Sequence, residues 1–395
     1  MAHAPRWGFD LTPPVRAIAS TGLGADRPLG LPAQPLCDAE WDAFFADAIH
    51  HRLAGLLVAS VAHGELPATG AQRAAVAELE VELTAARMWH EPRLTEIVGV
   101  LTAADVEVRV LKGPALATLD YPDPQWRPTK DVDLLVRGEA VDRSVAALEA
   151  VGGQHTDFAV DRFPGFAATA GKGATVVMPD GLEVDLHRLL SWGPLGVRVP
   201  PDDLWRRRRT FERGGGRFET LGLEESLLHA SGHLLLGGWR RALTLRDVAQ
   251  LLASPDLDAE RLLVTARRWG LEAVLATAVQ LTRRELKTGP ERSDHPRDDV
   301  HGERAIVTSW ADGFPPRPVD LLWLRVQRPD QPVPFVGRLA TTVELRTPAE
   351  RRMLLRATAH TARESYRSAA RPAGFLRMKL SRRDGGILGG PHATH

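Results

Sequence analysis

The sequence predicts an α/β (α+β) protein in which a small mixed sheet lies between two helical regions. Three observations carry this reading. Apolar residues recur three and four apart over about residues 38–103. The period then drops to two in short runs between residues 107 and 186. Helical spacing returns from about residue 220 to 286.

Taken in order, residues 1–36 are rich in proline and glycine and read as an irregular lead-in. The run DAEWDAFFADAIHHRLAGLLVASV from Asp38 reads as helix after an aspartate cap, and a second helical stretch runs from Thr69 to Ala103. Glu107 to Leu111 alternates as a strand and ends in Lys112-Gly113, with Pro114 at a first helical position. The loop DYPDPQWRPTK leads into DVDLLV, a second strand. Helix follows from Glu139 to Val151 and stops at Gly152-Gly153. Ala174 to Met178 and Leu182 to Leu186 flank an Asp180-Gly181 step, a hairpin signal. After Arg209 the pattern reads as mainly helical, and residues 286–304 read as a polar loop. The expected organisation is a lead-in over 1–36, a helical region over 37–103 and a chemistry-bearing core over 104–210. A helical domain closing the cleft over 211–290 and a linker with a basic C-terminal region over 291–395 complete it. No internal repeat at a fixed period is found.

Composition bounds the function. The 395 residues carry 50 basic and 50 acidic side chains, so no global field draws the chain to nucleic acid. One cysteine, Cys37, precludes an intramolecular disulfide, fits a reducing compartment and has no motif around it. The opening MAHAPRWGFDLTPP lacks an apolar signal core, and no run approaches the roughly 20 apolar residues of a membrane span. A cytoplasmic protein is expected, and the alanine, arginine and leucine bias matches a GC-rich bacterial genome.

Asp131-Val132-Asp133 carries the chemistry. Strand residues i and i+2 face the same way, so both carboxylates project side by side, and they repel unless a cation lies between them. Magnesium suits such a pair, taking one or two carboxylates together with substrate phosphate oxygens. Asp185, in the alternating segment EVDLH, offers a third carboxylate from a neighbouring strand. Three acids on two strands fit a two-metal centre with ions about 3.5–4 Å apart. Context strengthens the motif: Lys112-Gly113 ends one strand where a backbone can approach phosphate, and Arg127 and Lys130 precede the acids.

The run LKGPALATLDYPDPQWRPTKDVDLLV, followed by EVDLHRLL, resembles the type-five nucleotidyltransferases of the polymerase-β superfamily. The matching residues are Lys112-Gly113, Tyr121-Pro122, Arg127, Asp131 with Asp133, and Asp185-Leu186-His187. The resemblance covers about 90 residues firmly and runs more loosely to about residue 255. It implies a polymerase-β-like core, Mg2+ (two ions), a nucleoside triphosphate substrate, and a place in bacterial clusters for lasso peptides or polysaccharides. The usual Gly-Ser step of the superfamily is Lys-Gly-Pro here, so Lys112 replaces a serine contact to phosphate. The expected metal and catalytic residues are Asp131, Asp133 and Asp185. Lys112, Gly113, Arg127 and His187 are the expected nucleotide-side contacts, His187 being divided between a function (orienting Asp185 or binding the acceptor) and plain packing.

The function expected is magnesium-dependent transfer of a nucleoside monophosphate to a hydroxyl-type acceptor on a small molecule, peptide natural product or protein, releasing pyrophosphate. The alternative is a catalytically inactive scaffold that binds nucleotide or peptide in a biosynthetic complex, kept open by Lys112-Gly113-Pro114. Nucleic acid is disfavoured as a partner because no basic, aromatic groove is evident. Other features read as structural: His229 and His233 at i, i+4 lack a zinc motif. Arg246-Asp247 reads as a buried ion pair or a cleft wall, and Arg206 to Arg209 as a solvated run. The basic stretch from Arg351 to Arg383, with Phe375, Leu376 and Leu380, reads as peripheral helix or a contact to an anionic surface. P-loop and dinucleotide fingerprints are absent.

Overall fold

The alternating runs assemble into one five-stranded mixed sheet. Its strands are β1 (Val108–Val110), β2 (Val132–Val136), β3 (Gln154–His155), β4 (Gly173–Val177) and β5 (Glu183–His187), in the order β1-β2-β5-β4-β3. β2 and β5 are parallel, and the other pairs are antiparallel. The computed structural model describes residues 9, 11–23, 30–156, 166–169, 171–191, 194–236, 241–287 and 300–315, with 348, 351, 352 and 355. The proposed tail contacts at Phe375, Leu376 and Leu380 lie outside the described residues.

Before the sheet come α1 (Pro13–Ala19), α2 (Asp38–His50), α3 (Ala54–Ala62) and α4 (Gly70–Ala103). The start of α4 is set by Thr69, whose hydroxyl accepts from the Gln72 amide at 3.2 Å while the Gln72 side chain accepts from the Thr69 amide at 3.0 Å. The single helical run expected from Asp38 is broken between α2 and α3, where Arg52 adopts φ 59°. The cause is tertiary. His51 turns out of the helix to accept from the backbone amides of Ala242 at 3.3 Å and Leu243 at 3.2 Å. Those amides open a later helix and have no partner within it.

α5 (Gly113–Leu119) and α6 (Val141–Glu149) lie within the core segment, and α7 (Leu223–Leu236), α8 (Ala242–Leu252), α9 (Ala259–Trp269) and α10 (Glu272–Leu286) follow it. α9 is capped by Asp258, which accepts from the Arg261 amide at 2.9 Å, and is closed by Gly270 in the left-handed region. α11 (Val300–Gly313) occupies part of the stretch read as a polar loop. Its buried Val307 and Ala311 give it an apolar face, and Gln280 of α10 donates to the Ala311 carbonyl at 2.6 Å.

The mainly helical reading after Arg209 is corrected for the residues up to Leu221. They form a hairpin of β6 (Arg208–Arg213) and β7 (Gly216–Leu221), turned by Gly214 and Gly215 at positive φ. The arginine run before it is not simply solvated. Arg207 donates to Glu224 at 3.3 Å, Arg209 grips Asp120 at 2.6 and 3.0 Å, and Arg208 pairs with Glu219 at 3.2 Å. Period-two geometry sends Arg207 and Arg209 to one side and Arg208 to the other, so the run is divided between two surfaces.

Two apolar cores result. In one, the sheet face bearing Val132, Leu134, Val184 and Leu186 packs with the second half of α4, α6 and the hairpin phenylalanines. In the other, α1 to α3 pack with α7 to α11, so helices from before and after the sheet share a single core. Arg246 is fully buried there, donating to the carbonyls of Ala19 (3.1 Å) and Thr21 and to the Gln250 side chain (2.6 Å).

Asp247 of α8 ties this second core to the loop preceding β2. It accepts two bonds from Arg127, both at 2.7 Å, and a third from the Tyr121 hydroxyl at 2.8 Å. Asp247→Ala is expected to lower unfolding stability by about 3–5 kcal/mol in urea titration, because it strands a buried guanidinium. Joint replacement by Arg127→Met and Asp247→Leu should recover most of the loss. An unchanged urea midpoint in the single variant would remove the pair from its structural role.

Candidate active site

The parallel register of β2 and β5 sets Asp133 beside Asp185 and Leu135 beside His187. Odd-numbered positions of both strands thus face away from the sheet's own core, towards α7 and α8. Asp133 is 5% exposed, so its charge requires partners. It has two: Lys112 Nζ lies 2.9 Å and His187 Nε2 2.7 Å from Oδ1. Asp185 accepts from the Thr175 hydroxyl of β4 at 2.5 Å. One ligand atom each from Asp133, Asp185 and His187 lie within 4.8 Å of one another, the only such metal-competent group among the described residues.

Asp131 stands outside that tight group and is half-buried. Burial first, then the charges of Asp133 and, less, of Asp185, raise its pKa. Burial would raise Asp133 as well, but Lys112 and the hydrogen bond from His187 hold it well below the usual carboxylate range. Burial, with the charge of Lys172 second, pushes His187 down to about 4, so at neutral pH its Nε2–H donates to Asp133. Its Nδ1 is buried without a partner. His187 therefore orients a carboxylate, and the carboxylate is that of Asp133 rather than the expected Asp185.

Lys112 reaches Asp133 from a strained backbone. Its φ of 49° and ψ of −118° fall in a region that favours glycine, at a cost of about 1–3 kcal/mol. The preceding amide, of Leu111, donates to the Asp133 carbonyl at 2.8 Å, so the strain coincides with the junction of β1 and β2. Gly113 opens α5 in tight quarters: a Cβ there would lie 2.8 Å from Thr129 Cγ2. Arg127, expected on phosphate, has its guanidinium directed instead into the bidentate pair with Asp247. Lys130 is exposed, and its carbonyl is 2.7 Å from His90 Nε2.

Lys172 escaped sequence reasoning. Burial and then the charge of Lys112 lower its pKa to about 8, while Asp133, Asp185 and Asp131 act in the opposite direction. Its position depends on Gly173, at φ 156°, where a Cβ would lie 1.7 Å from the Leu186 carbonyl oxygen. The Gly171-Lys172-Gly173 step before a strand was the available signal. Two ammonium groups and three carboxylates thus meet at one end of the parallel pair.

Behind Lys112, His229, His233, Thr244 and Asp247 line a void of about 10 Å³, near the size that holds one water. His229 is buried with Nε2 unpartnered. These histidines are not joined to a metal-competent group, and Arg246 does not pair with Asp247 but with backbone carbonyls and Gln250.

The family described as "Uncharacterised nucleotidyltransferase" matches residues 38–287, more than half of the chain. The chain belongs to this nucleotidyltransferase family. Among solved structures it is similar to ANT(2")-Ia in complex with adenylyl-2"-tobramycin, at 14% identity and a TM-score of 0.33, over 47% of this chain and 97% of that one. It is also similar to an antigenic nucleotidyltransferase-like protein from Paracoccidioides brasiliensis, at 15% identity and a TM-score of 0.34, over 50% and 91% of the two chains. No curated protein matches the chain. Among the described residues no helix is long and apolar enough to cross a membrane.

Burial first, then the charge of Lys112, keeps His229 well below its ordinary pKa, so the folded chain resists a proton that the unfolded chain accepts near pH 6.5. Its contribution is complete above that pH and is lost as pH falls towards the folded value, by up to about 1.4 kcal/mol per unit. Urea-derived stability should therefore fall between pH 6.5 and 5, and less steeply in His229→Gln. Equal slopes in the two proteins would contradict burial of a neutral imidazole.

Proposed function

We propose that this nucleotidyltransferase-family protein transfers a nucleoside monophosphate from a nucleoside triphosphate to a hydroxyl group, with magnesium. The observation that carries the reading is the in-register placement of Asp133 beside Asp185 on parallel strands, faced by Lys112 and Lys172. The donor set fits a hard cation: two carboxylates converge with one imidazole, and oxygen ligands dominate. Asp133 and Asp185 would hold magnesium, and Asp131 is the carboxylate available to a second ion. Bound there, the metal supplies charge neutralisation for the triphosphate.

The chain's own groups complete the chemistry. The acceptor oxygen forms a bond to the α-phosphorus as the bond from that phosphorus to pyrophosphate breaks. Asp185, which accepts from the Thr175 hydroxyl, would take the hydroxyl proton or complete a metal site. Lys112 and Lys172 neutralise the departing pyrophosphate, while His187 fixes the rotamer of Asp133. Arg127 acts at one remove, fastening the loop that carries Asp131 to α8 through Asp247. The second reading, an inactive scaffold that binds nucleotide or peptide, rests on Lys112, whose ammonium neutralises Asp133 without an ion.

Calorimetric titration of ATP, GTP, CTP and UTP with magnesium tests the proposal. At least one nucleotide should bind in a magnesium-dependent manner, and Asp133→Asn should weaken it at least tenfold, about 1.4 kcal/mol. Failure of all four nucleotides to bind would overturn transferase activity and favour the scaffold.

A further inference from the structure

Beyond the carboxylate cluster, a cavity of about 160 Å³ opens between α3, α4 and the loop before β2. Nothing in the reaction described so far uses it. Its floor is aliphatic, from Val58, Ala59 and Leu83, and one wall is the indole of Trp126, with the His63 ring set edge-on 5.9 Å away. An apolar cavity of about 150 Å³ is known to hold one benzene ring, so this space matches a single ring.

The polar lining is arranged asymmetrically. Arg87 and Arg213 both face the cavity. Arg213 is satisfied by Glu91 at 3.1 Å and the Thr118 hydroxyl at 3.2 Å. Its pKa is lowered by burial and, further down, by the charge of Arg87. Arg87 is half-buried, and no carboxylate among the described residues pairs with it. Glu80, on the same face of α4, is seven residues away, about 10 Å along the axis, and is exposed. Asp123, at the rim, accepts from the Gln125 amide. A half-buried arginine with no ion pair among the described residues, lining the same cavity as an indole, suits a planar ring bearing an anion.

The cavity reaches the segment that leads into the acidic strand. Thr129 lines it and packs against Gly113, and Asp131 follows two residues later. His90 of α4 holds the Lys130 carbonyl at 2.7 Å, next to Asp131 in sequence. We propose that this cavity is the acceptor site, and that it takes a single-ring hydroxylated carboxylate, its ring against Trp126 and its carboxylate on Arg87. This identification of the acceptor class rests on the transferase reading, whereas occupancy of the cavity does not.

The probe is 4-hydroxybenzoate, followed by saturation-transfer NMR and calorimetry on the full chain without nucleotide. It should bind, with affinity reduced at least tenfold by Arg87→Gln and by Ala62→Phe, which fills the cavity from an exposed position. Benzyl alcohol, which lacks the carboxylate, should bind at least tenfold more weakly. No binding to the wild type, or binding indifferent to Arg87→Gln and Ala62→Phe, would overturn the site. Loss of magnesium-nucleotide binding in Ala62→Phe would overturn it too, by making the cavity a nucleobase site. Nucleotide binding without probe binding sinks this inference alone. Probe binding without nucleotide binding sinks the transferase reading and leaves the anion site standing.

Discussion

The buried carboxylate of Asp247 is the constraint on which the rest of the structure depends. A charge at 5% exposure is tolerated only when its oxygens are fully engaged, and three hydrogen bonds from Arg127 and Tyr121 achieve this. The partners belong to the loop that leads to β2, whereas Asp247 belongs to α8 in the other core. Neither core can therefore shift without stranding an ion. Arg246, its neighbour in sequence, extends the tie to α1 by donating to the carbonyls of Ala19 and Thr21. The loop holding Asp131 is thus fixed from one side by α8 and from the other by His90 of α4.

That seam explains the electrostatics of the site. The odd-numbered residues of β2 and β5 face the boundary between the two cores, so their carboxylates are largely removed from water without being sealed in one apolar interior. In such surroundings charges interact more strongly than in bulk solvent. The response is a division of protonation: Asp133, with Lys112 and His187 beside it, stays ionised, while burial and Asp133 itself make Asp131 easier to protonate. A divalent cation arriving there would relieve the repulsion and reverse the bias on Asp131.

Local pattern made the sheet and its acids legible, and long-range pairing hid the rest. The period-two runs locate β2 and β5 within a residue, but Asp131, expected on the same strand face as Asp133, lies just before β2 and outside the group of Asp133, Asp185 and His187. Arg127 was expected on phosphate because its partner lies 120 residues further along the chain. Lys172 was missed because only the β4–β5 register, made close by Gly173, carries it to the acids. The hairpin after Arg207 was obscured by charge: four consecutive arginines suggest solvent, yet their carboxylate partners are Asp203, Glu224, Glu219 and Asp120, in that order along the run.

The same separation bears on Lys112. A lysine in a backbone region that favours glycine is a cost that no side-chain cap offsets, and locally its carbonyl only accepts the Leu116 amide of α5 at 2.8 Å. The return is at a distance, where its ammonium meets Asp133 across the β1–β2 junction at 2.9 Å. In that conformation the side chain lies over the acids instead of along α5. An ammonium so placed neutralises Asp133, and under the proposed function it would meet phosphate once a cation took over the carboxylate. The strain is thus explained by positioning, and a glycine there would keep the turn but lose the charge.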